Sequence, residues 1–282
     1  MIDTTSFSSQ LFYCTVRVTG HKPNGETSIG TAFFFKFNLG DNRDVLMLVT
    51  NKHVIAGCTR GNFLLHEQDR QTKQPAGSFT VELDNFEALW LKHPGDVDLC
   101  AMPVVPIMHV AEEQGKVVYL QTFVETHIPS PKSLDSLTAI EDVIMVGYPI
   151  GLWDSANNFP LLRKGITASH PAVDFNNRPE GFVDIAAFPG SSGSPVLILN
   201  EGSYPTRKGL AFGSRCLLLG VLHAGPQYKP DGTLEIVEIP TLQLPVVRTT
   251  RPVHLGIYAK SRELLTIKQT LIEFLTGQEL KE

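Results

Sequence analysis

Three short stretches carry side chains whose types could do chemistry together. In the first, the apolar run Val45–Thr50 leads into Thr50-Asn51-Lys52-His53-Val54. In the second, Gly95-Asp96-Val97-Asp98-Leu99-Cys100, a carboxylate stands at the head of an apolar run. In the third, Phe188-Pro189-Gly190-Ser191-Ser192-Gly193-Ser194-Pro195, serines crowd a glycine-rich turn before another apolar run. A hydroxyl is a poor nucleophile at neutral pH, so an imidazole must take its proton as it attacks. A carboxylate must hold that imidazole in one tautomer and stabilise the imidazolium that forms. Backbone N–H groups must converge on the developing oxyanion, and glycine gives the chain the freedom to aim them.

Each stretch alone has a plainer reading: a packing histidine, an Asx turn and a polar loop. Their order, His then Asp then Ser, each beside an apolar run, points to one constellation. An α/β-hydrolase would need G-x-S-x-G and the order Ser, Asp, His. This chain has the opposite order and too few helical segments for a doubly wound sheet.

The elements that must position these residues read as strands. Short runs rich in β-branched and aromatic residues recur between turn residues, among them Leu11–Val18, Gly30–Phe37, Asp142–Gly147, Phe182–Ala187, Leu217–Leu222 and Leu234–Ile239. That spacing predicts an all-β architecture. Two segments read as helical: one or two turns over Asn51–Gly57, and an amphipathic helix over Ser261–Thr276. Ser261 is the expected N-cap and Gly277 the expected stop. The Pro- and Ser-rich stretch Ile128–Thr138 reads as a linker between two β domains.

Composition narrows the function classes. The 282 residues carry a net charge of −5, and the basic residues form no local run, with Arg248, Arg251 and Lys260 scattered, which argues against a phosphate-binding surface. No apolar run is long enough to span a bilayer. The N-terminus lacks the charged and apolar regions of a secretory signal. Four widely spaced cysteines, Cys14, Cys58, Cys100 and Cys216, form no C-x-x-C pair. Reduced thiols and a cytoplasmic location are therefore expected. No cluster has metal-ligand spacing and no loop has a P-loop form, so no cofactor is expected.

On these motifs the chain resembles trypsin/chymotrypsin-type serine endopeptidases, and in particular bacterial trypsin-like peptidases of the high-temperature-requirement type. Thr50–Val54 stands at the T-x-x-H motif, Asp98-Leu99 at the aspartate motif, and Gly190–Pro195 at G-x-S-G-[GS]-P. Val146–Gly151, Gly165–Ser169 and Val183–Ala187 also fit. The resemblance implies two six-stranded antiparallel β-barrels with a C-terminal α-helix. Residues 1–127 would form the barrel carrying His53 and Asp98, and residues 128–260 the barrel carrying Ser192 and the substrate pocket. Residues 261–282 would form the helix and tail, packed on the second barrel. No PDZ-like domain fits after residue 245.

The resemblance assigns Ser192 as nucleophile, His53 as general base, Asp98 as its orienter, and the Gly190 and Ser192 amides as oxyanion donors. Asp98 is preferred to Asp96, which follows Pro94-Gly95 in a turn. Ser194 reads as a packing residue beside the nucleophile, and Cys100 as a buried strand residue. The remaining histidines, His66 and His93 among them, are expected at surfaces or turns. Where secreted relatives carry an acidic residue just before the nucleophile, this chain has Ser191, so activation by a new N-terminal ammonium is not expected. Control would come from a partner, a ligand or a loop rearrangement.

The substrate would be a protein or peptide, bound against Ala186, Ala187, His223, Ala224 and Gly225. Ala186 stands where Arg/Lys-specific relatives carry an acidic pocket floor, so a preference for basic side chains is not expected. Two readings of His223 stay open: it contacts a Glu or Gln side chain of the substrate, or it bonds locally beside a small apolar pocket. Leu222–Gly225 is expected to pair with an extended substrate as an edge strand. The runner-up function is a catalytically silent protease fold that binds a partner.

Overall fold

The structure is a computed structural model and describes residues 4–41, 43–206, 209–228, 234–238 and 251–279. Ile239, the expected end of one strand, lies outside them, as do the chain ends 1–3 and 280–282.

The chain folds into two antiparallel sheets, and β-branched and aromatic runs form their strands as expected. The first is built from β1 (Thr15–His21), β2 (Thr27–Asn38), β3 (Asp44–Thr50), β4 (Arg60–Gln68), β5 (Pro75–Asp84), β6 (Leu91–Lys92) and β7 (Cys100–Pro103). Their order is β5-β4-β1-β2-β3-β7-β6. Two short strands join it: β8 (Val118–Tyr119) on β4, and β9 (Phe123–Val124), which runs parallel to β2.

The second sheet contains β10 (Asp142–Gly147), β11 (Leu161–Thr167), β12 (Glu180–Asp184) and β13 (Pro195–Asn200). After a separate hairpin, β14 (Ser203–Thr206) and β15 (Gly209–Phe212), come β16 (Arg215–Tyr228), β17 (Leu234–Glu238), β18 (Arg251–Pro252) and β19 (Leu255–Lys260). The path β13-β10-β11-β12-β19-β16 returns to its start because β13 also pairs with β16, giving a closed six-stranded barrel. Closure leaves those six strands no unpaired edge.

Helices α1 (Phe7–Gln10) and α2 (Lys52–Ile55) are single turns. Helix α3 (Val105–Glu113) lies outside the two segments expected to be helical. Pro106 lies in its first turn, where a missing N–H costs nothing, and Ile107 and Ala111 are its buried face. The expected linker contains α4 (Pro131–Ser136), capped by the Ser130 side chain.

The aromatic run in β2 explains how the sheets join. Phe34 faces the first sheet's interior, whereas Phe33, Phe35 and Phe37 face a second cluster with Val146, Leu197, Leu218 and Val221 of the second sheet. Alternate side chains thus serve two cores, so Ala32–Phe35 is apolar without a break, and Lys36 beyond it pairs with Asp44. The last helix, α5 (Glu263–Glu279), inserts Leu264, Ile267 and Leu271 into that shared cluster. It therefore packs on residues of both sheets, not on the second barrel alone. It also continues through Gly277, whose backbone lacks the positive φ that would end a helix there.

Candidate active site

The turn α2 follows β3 directly, so strand β3 fixes where His53 stands. Three consecutive residues tie this turn to the 95–98 loop. The Asn51 side-chain amide donates to Asp98 O at 2.7 Å, Lys52 Nζ to Gly95 O at 2.6 Å, and the His53 amide to Asp98 Oδ1 at 3.2 Å. The His53 ring completes the set, with Nδ1 2.5 Å from Asp98 Oδ2. The proton belongs on Nδ1, leaving Nε2 as the basic nitrogen. Burial raises the Asp98 pKa, but the His53 hydrogen bond and the charges of His53 and His223 outweigh it, so the carboxyl is held below its usual range. Asp96 is exposed and faces solvent.

The serine loop lies between the two sheets. The Thr31 amide of β2 donates to Ser192 O at 2.8 Å, and Thr31 Oγ1 donates to Gly190 O at 3.0 Å. On the other side, Gly193 N donates to Leu222 O and Leu222 N to Ser194 O. A Cβ on Gly193 would collide with Thr31 O and Thr50 Oγ1, and its φ is +86°. Only glycine fits that position. A Cβ on Gly30 would meet both the Val54 side chain and Ser192 O. The α2 turn, through Val54, therefore meets β2 at the same point as the serine loop.

The loop amides divide by use. Those of Ser191, Gly193 and Ser194 donate to Phe188 O, Leu222 O and Ser191 O. The Gly190 amide donates to no acceptor among the described residues. Gly190, at φ +88°, lies against the Tyr148 carbonyl and the Ile150 amide, and Ile150 N donates to Pro189 O. Ser191 is fully buried, and its hydroxyl has no partner among the described residues. The Ser194 hydroxyl is likewise unpartnered. Burial pushes the Cys100 thiol well above its ordinary pKa, which keeps it protonated and inert.

The residues expected to contact substrate separate into two groups. Ala187 packs in the barrel core with Val183 and Leu222, and a Cβ on Gly256 would stand 3.7 Å from its methyl. Ala186 is half-buried, and its carbonyl accepts from Arg163 Nη1, whose guanidinium also lies 5.0 Å from the Phe188 ring centroid. His223 Nε2 lies 3.5 Å from Glu180 Oε1 and lowers the pKa of that carboxyl. Its charge also favours ionised Asp98.

The strand expected to be an open edge already has a partner. From Ala224 to Tyr228, β16 pairs with β17, in the register Ala224↔Glu238 and Gly225↔Val237. Opposite, Ala224 pairs with Ile257 of β19. At Val221 the two sides are held by Pro195 of β13 and Ala259 of β19. So β17 continues the side of β16 that β13, the strand after Ser192, has just left.

Sequence reasoning did not single out Thr31, Asn51, Lys52 or Arg163 for a role. Asn51 and Lys52 stood inside a quoted motif, but which partners they hold depends on a loop over forty residues away. Two histidines expected at surfaces or turns, His66 and His93, are buried. His93 Nε2 faces Glu263 of α5 at 3.3 Å, and His66 packs edge-on against Tyr13.

A family model described as the trypsin-like peptidase domain matches residues 30–203. No curated protein matches the chain. Among solved structures, the chain is similar to the active form of the Rv3671c protease from M. tuberculosis, at 12% identity and a TM-score of 0.46. That match covers 92% of this chain and 80% of the other. It is also similar to GrC, at 10% identity and a TM-score of 0.48, covering 95% of this chain and 96% of that one.

Proposed function

This chain belongs to the trypsin-like peptidase family, and on that premise we propose that it is a serine endopeptidase using His53, Asp98 and Ser192. The observation that carries this reading is the His53 Nδ1 to Asp98 Oδ2 pairing at 2.5 Å, on a turn that meets β2 at the same point as the Ser192 loop. In the reaction, His53 Nε2 takes the Ser192 hydroxyl proton as Oγ attacks the substrate carbonyl. The Gly190 and Ser192 amides stabilise the oxyanion, with Gly190 N supplying a donor that the fold has not otherwise used. His53 returns the proton to the leaving amine, and water then resolves the acyl-enzyme by the same route in reverse.

Specificity favours small apolar side chains at the residue whose carbonyl is attacked. Ala186 offers no carboxylate, and the Arg163 guanidinium at its carbonyl repels a substrate cation. His223 is engaged beside Glu180 and Asp98, which supports its local reading over contact with an acidic substrate side chain.

Regulation by rearrangement follows from β17. An extended substrate would have to add to β16 beyond β13, where β17 now pairs. Full activity then requires β17 to leave Ala224 and Gly225, whether a partner draws it away or it opens spontaneously. The protein would be intrinsically latent.

A fluorophosphonate probe tests the nucleophile. Labelling of the wild-type chain that disappears in Ser192→Ala is the expected result. Absence of labelling in the wild type, with β17 displaced or not, would instead make the chain a silent binding module.

A further inference from the structure

A second site lies where the connector, the closed barrel and α5 meet. There the fold forms an open-mouthed cavity of about 460 Å³, within the range of small-ligand pockets. None of the residues assigned to catalysis or substrate contact lines it. Its walls are largely apolar: Ile128, Pro129 and Leu134 on the connector side, Leu219 of β16, and Leu265 of α5.

One end of this cavity is cationic. Lys260, only 4% exposed, lines it together with Arg262. Both cations share one carboxylate: Asp174 Oδ1 lies 2.8 Å from Lys260 Nζ, and Asp174 Oδ2 lies 2.5 Å from Arg262 Nη2. Glu263, which also faces Arg262, is itself divided between that guanidinium and His93. The ammonium has three N–H donors, and among the described residues Asp174 is its one ionic partner. A buried ammonium is costly unless its donors find acceptors. The start of α5 adjoins it, and its dipole favours an anion. At the connector end, the half-buried Glu125 is already held by Lys268 at 2.8 and 3.0 Å, while Asp135 is exposed at the rim.

We propose that this cavity binds an amphipathic monocarboxylate, its head on Lys260 and Arg262 and its alkyl chain along Pro129, Leu134, Leu219 and Leu265. At liquid density the volume holds about fifteen heavy atoms, the size of a medium-chain fatty acid. The proposal does not depend on the peptidase reading, because it concerns binding alone.

Decanoate and decanol, both kept below the concentrations at which they aggregate, are the probes. Calorimetric titration and thermal unfolding are measured on the whole chain. Saturable decanoate binding is expected, with a raised unfolding temperature, and decanol should bind at least about tenfold more weakly. In Lys260→Met the advantage of decanoate over decanol should shrink to about twofold, with decanol binding retained. Ala172→Phe, which narrows the cavity without touching the cations, should weaken both probes. Equal binding of the two probes by the wild type, no saturable decanoate binding, or binding indifferent to Ala172→Phe would each overturn the proposal. The wild-type comparison stands alone if either variant fails to fold.

Discussion

The main-chain amide of Thr31, on β2 of the first sheet, donates at 2.8 Å to the carbonyl of Ser192, in the turn that leads into β13 of the second. The same residue's hydroxyl donates to Gly190 O at 3.0 Å and accepts from Tyr148 N at 3.2 Å. One buried threonine on the first sheet thus fixes two carbonyls of the serine loop and one amide of the turn beneath it. The proposed base is delivered by that same sheet, through β3 and α2. Nucleophile and base are therefore registered against a common strand, so a shift of one sheet relative to the other would separate them.

Thr31→Val tests this. The isosteric change keeps the backbone bond to Ser192 but deletes both hydroxyl contacts and strands the buried Tyr148 amide. Stability should fall by about 1–3 kcal/mol. Fluorophosphonate labelling should slow by about tenfold or more, because the Gly190 donor is no longer held in place. Urea unfolding and labelling rates measure the two effects. An unchanged labelling rate would mean that Thr31 does not position the loop.

Ser191 gives a paired prediction. Its hydroxyl is buried and unpartnered among the described residues, so Ser191→Ala should be neutral or slightly stabilising. Ser191→Asp would bury a carboxylate with no described cation against it, and should cost about 3 kcal/mol or more. If the aspartate variant were instead as stable as the wild type and more active, a cationic partner for that position would have to exist. The expectation that an N-terminal ammonium plays no part in activation would then fail.

Much of this site was legible in the sequence because its parts are local. A strand running into His53, an aspartate heading an apolar run and a Ser/Gly turn are each short-range signals. What the sequence withheld is long-range. Nothing near Thr31 marks it, because its role comes from a turn more than 150 residues later. That Ala224 and Gly225 already have a partner is hidden for the same reason: pairing with β17 depends on how the chain returns, not on either strand's composition. The shared core was hidden in a different way. Gly30–Phe37 reads as a strand from its composition, but periodicity cannot say that its two faces serve different clusters, or that α5 fills one of them.

Substrate choice follows from the Ala186 segment. With no carboxylate there and Arg163 at its carbonyl, peptides presenting Arg at the attacked residue should be cleaved at least about 100-fold less efficiently than those presenting Ala or Val. Replacing Arg163 with Met should narrow that gap by removing the repulsion, without making Arg the preferred residue, because Ala186 still offers no carboxylate. A matched peptide series, read as kcat/KM, decides it. Preferred cleavage after Arg would refute the pocket assignment.

Displacing β17 should raise peptidase activity. Val237 stands opposite Gly225, and Val237→Pro would remove a ladder donor from β17 without touching the proposed triad. Peptide kcat/KM should rise by about tenfold if the paired form dominates. Labelling by a small fluorophosphonate, which needs no strand pairing, should change much less. Equal gains with both probes would point to a change at the serine itself, and no gain in peptide turnover would show that β17 does not block the edge.

Stability should depend on pH through His66. Burial lowers its pKa to about 4, whereas an imidazole in the unfolded chain titrates near 6.5. Between those values the unfolded chain binds a proton that the folded chain refuses. Stability therefore falls as pH drops from about 6.5 towards 4, by about 3 kcal/mol once the window is crossed. The Asp98 carboxyl acts in a separate window: its depressed pKa stabilises the fold above the ordinary carboxylate range and is lost only as pH falls below about 4. Urea unfolding at pH 7 and pH 4.5 should show the His66 loss in the wild type and a much flatter response in His66→Gln. Equal slopes in the two proteins would mean that His66 is solvated in solution, and that the aromatic contacts around it with Tyr13 and Phe159 open readily.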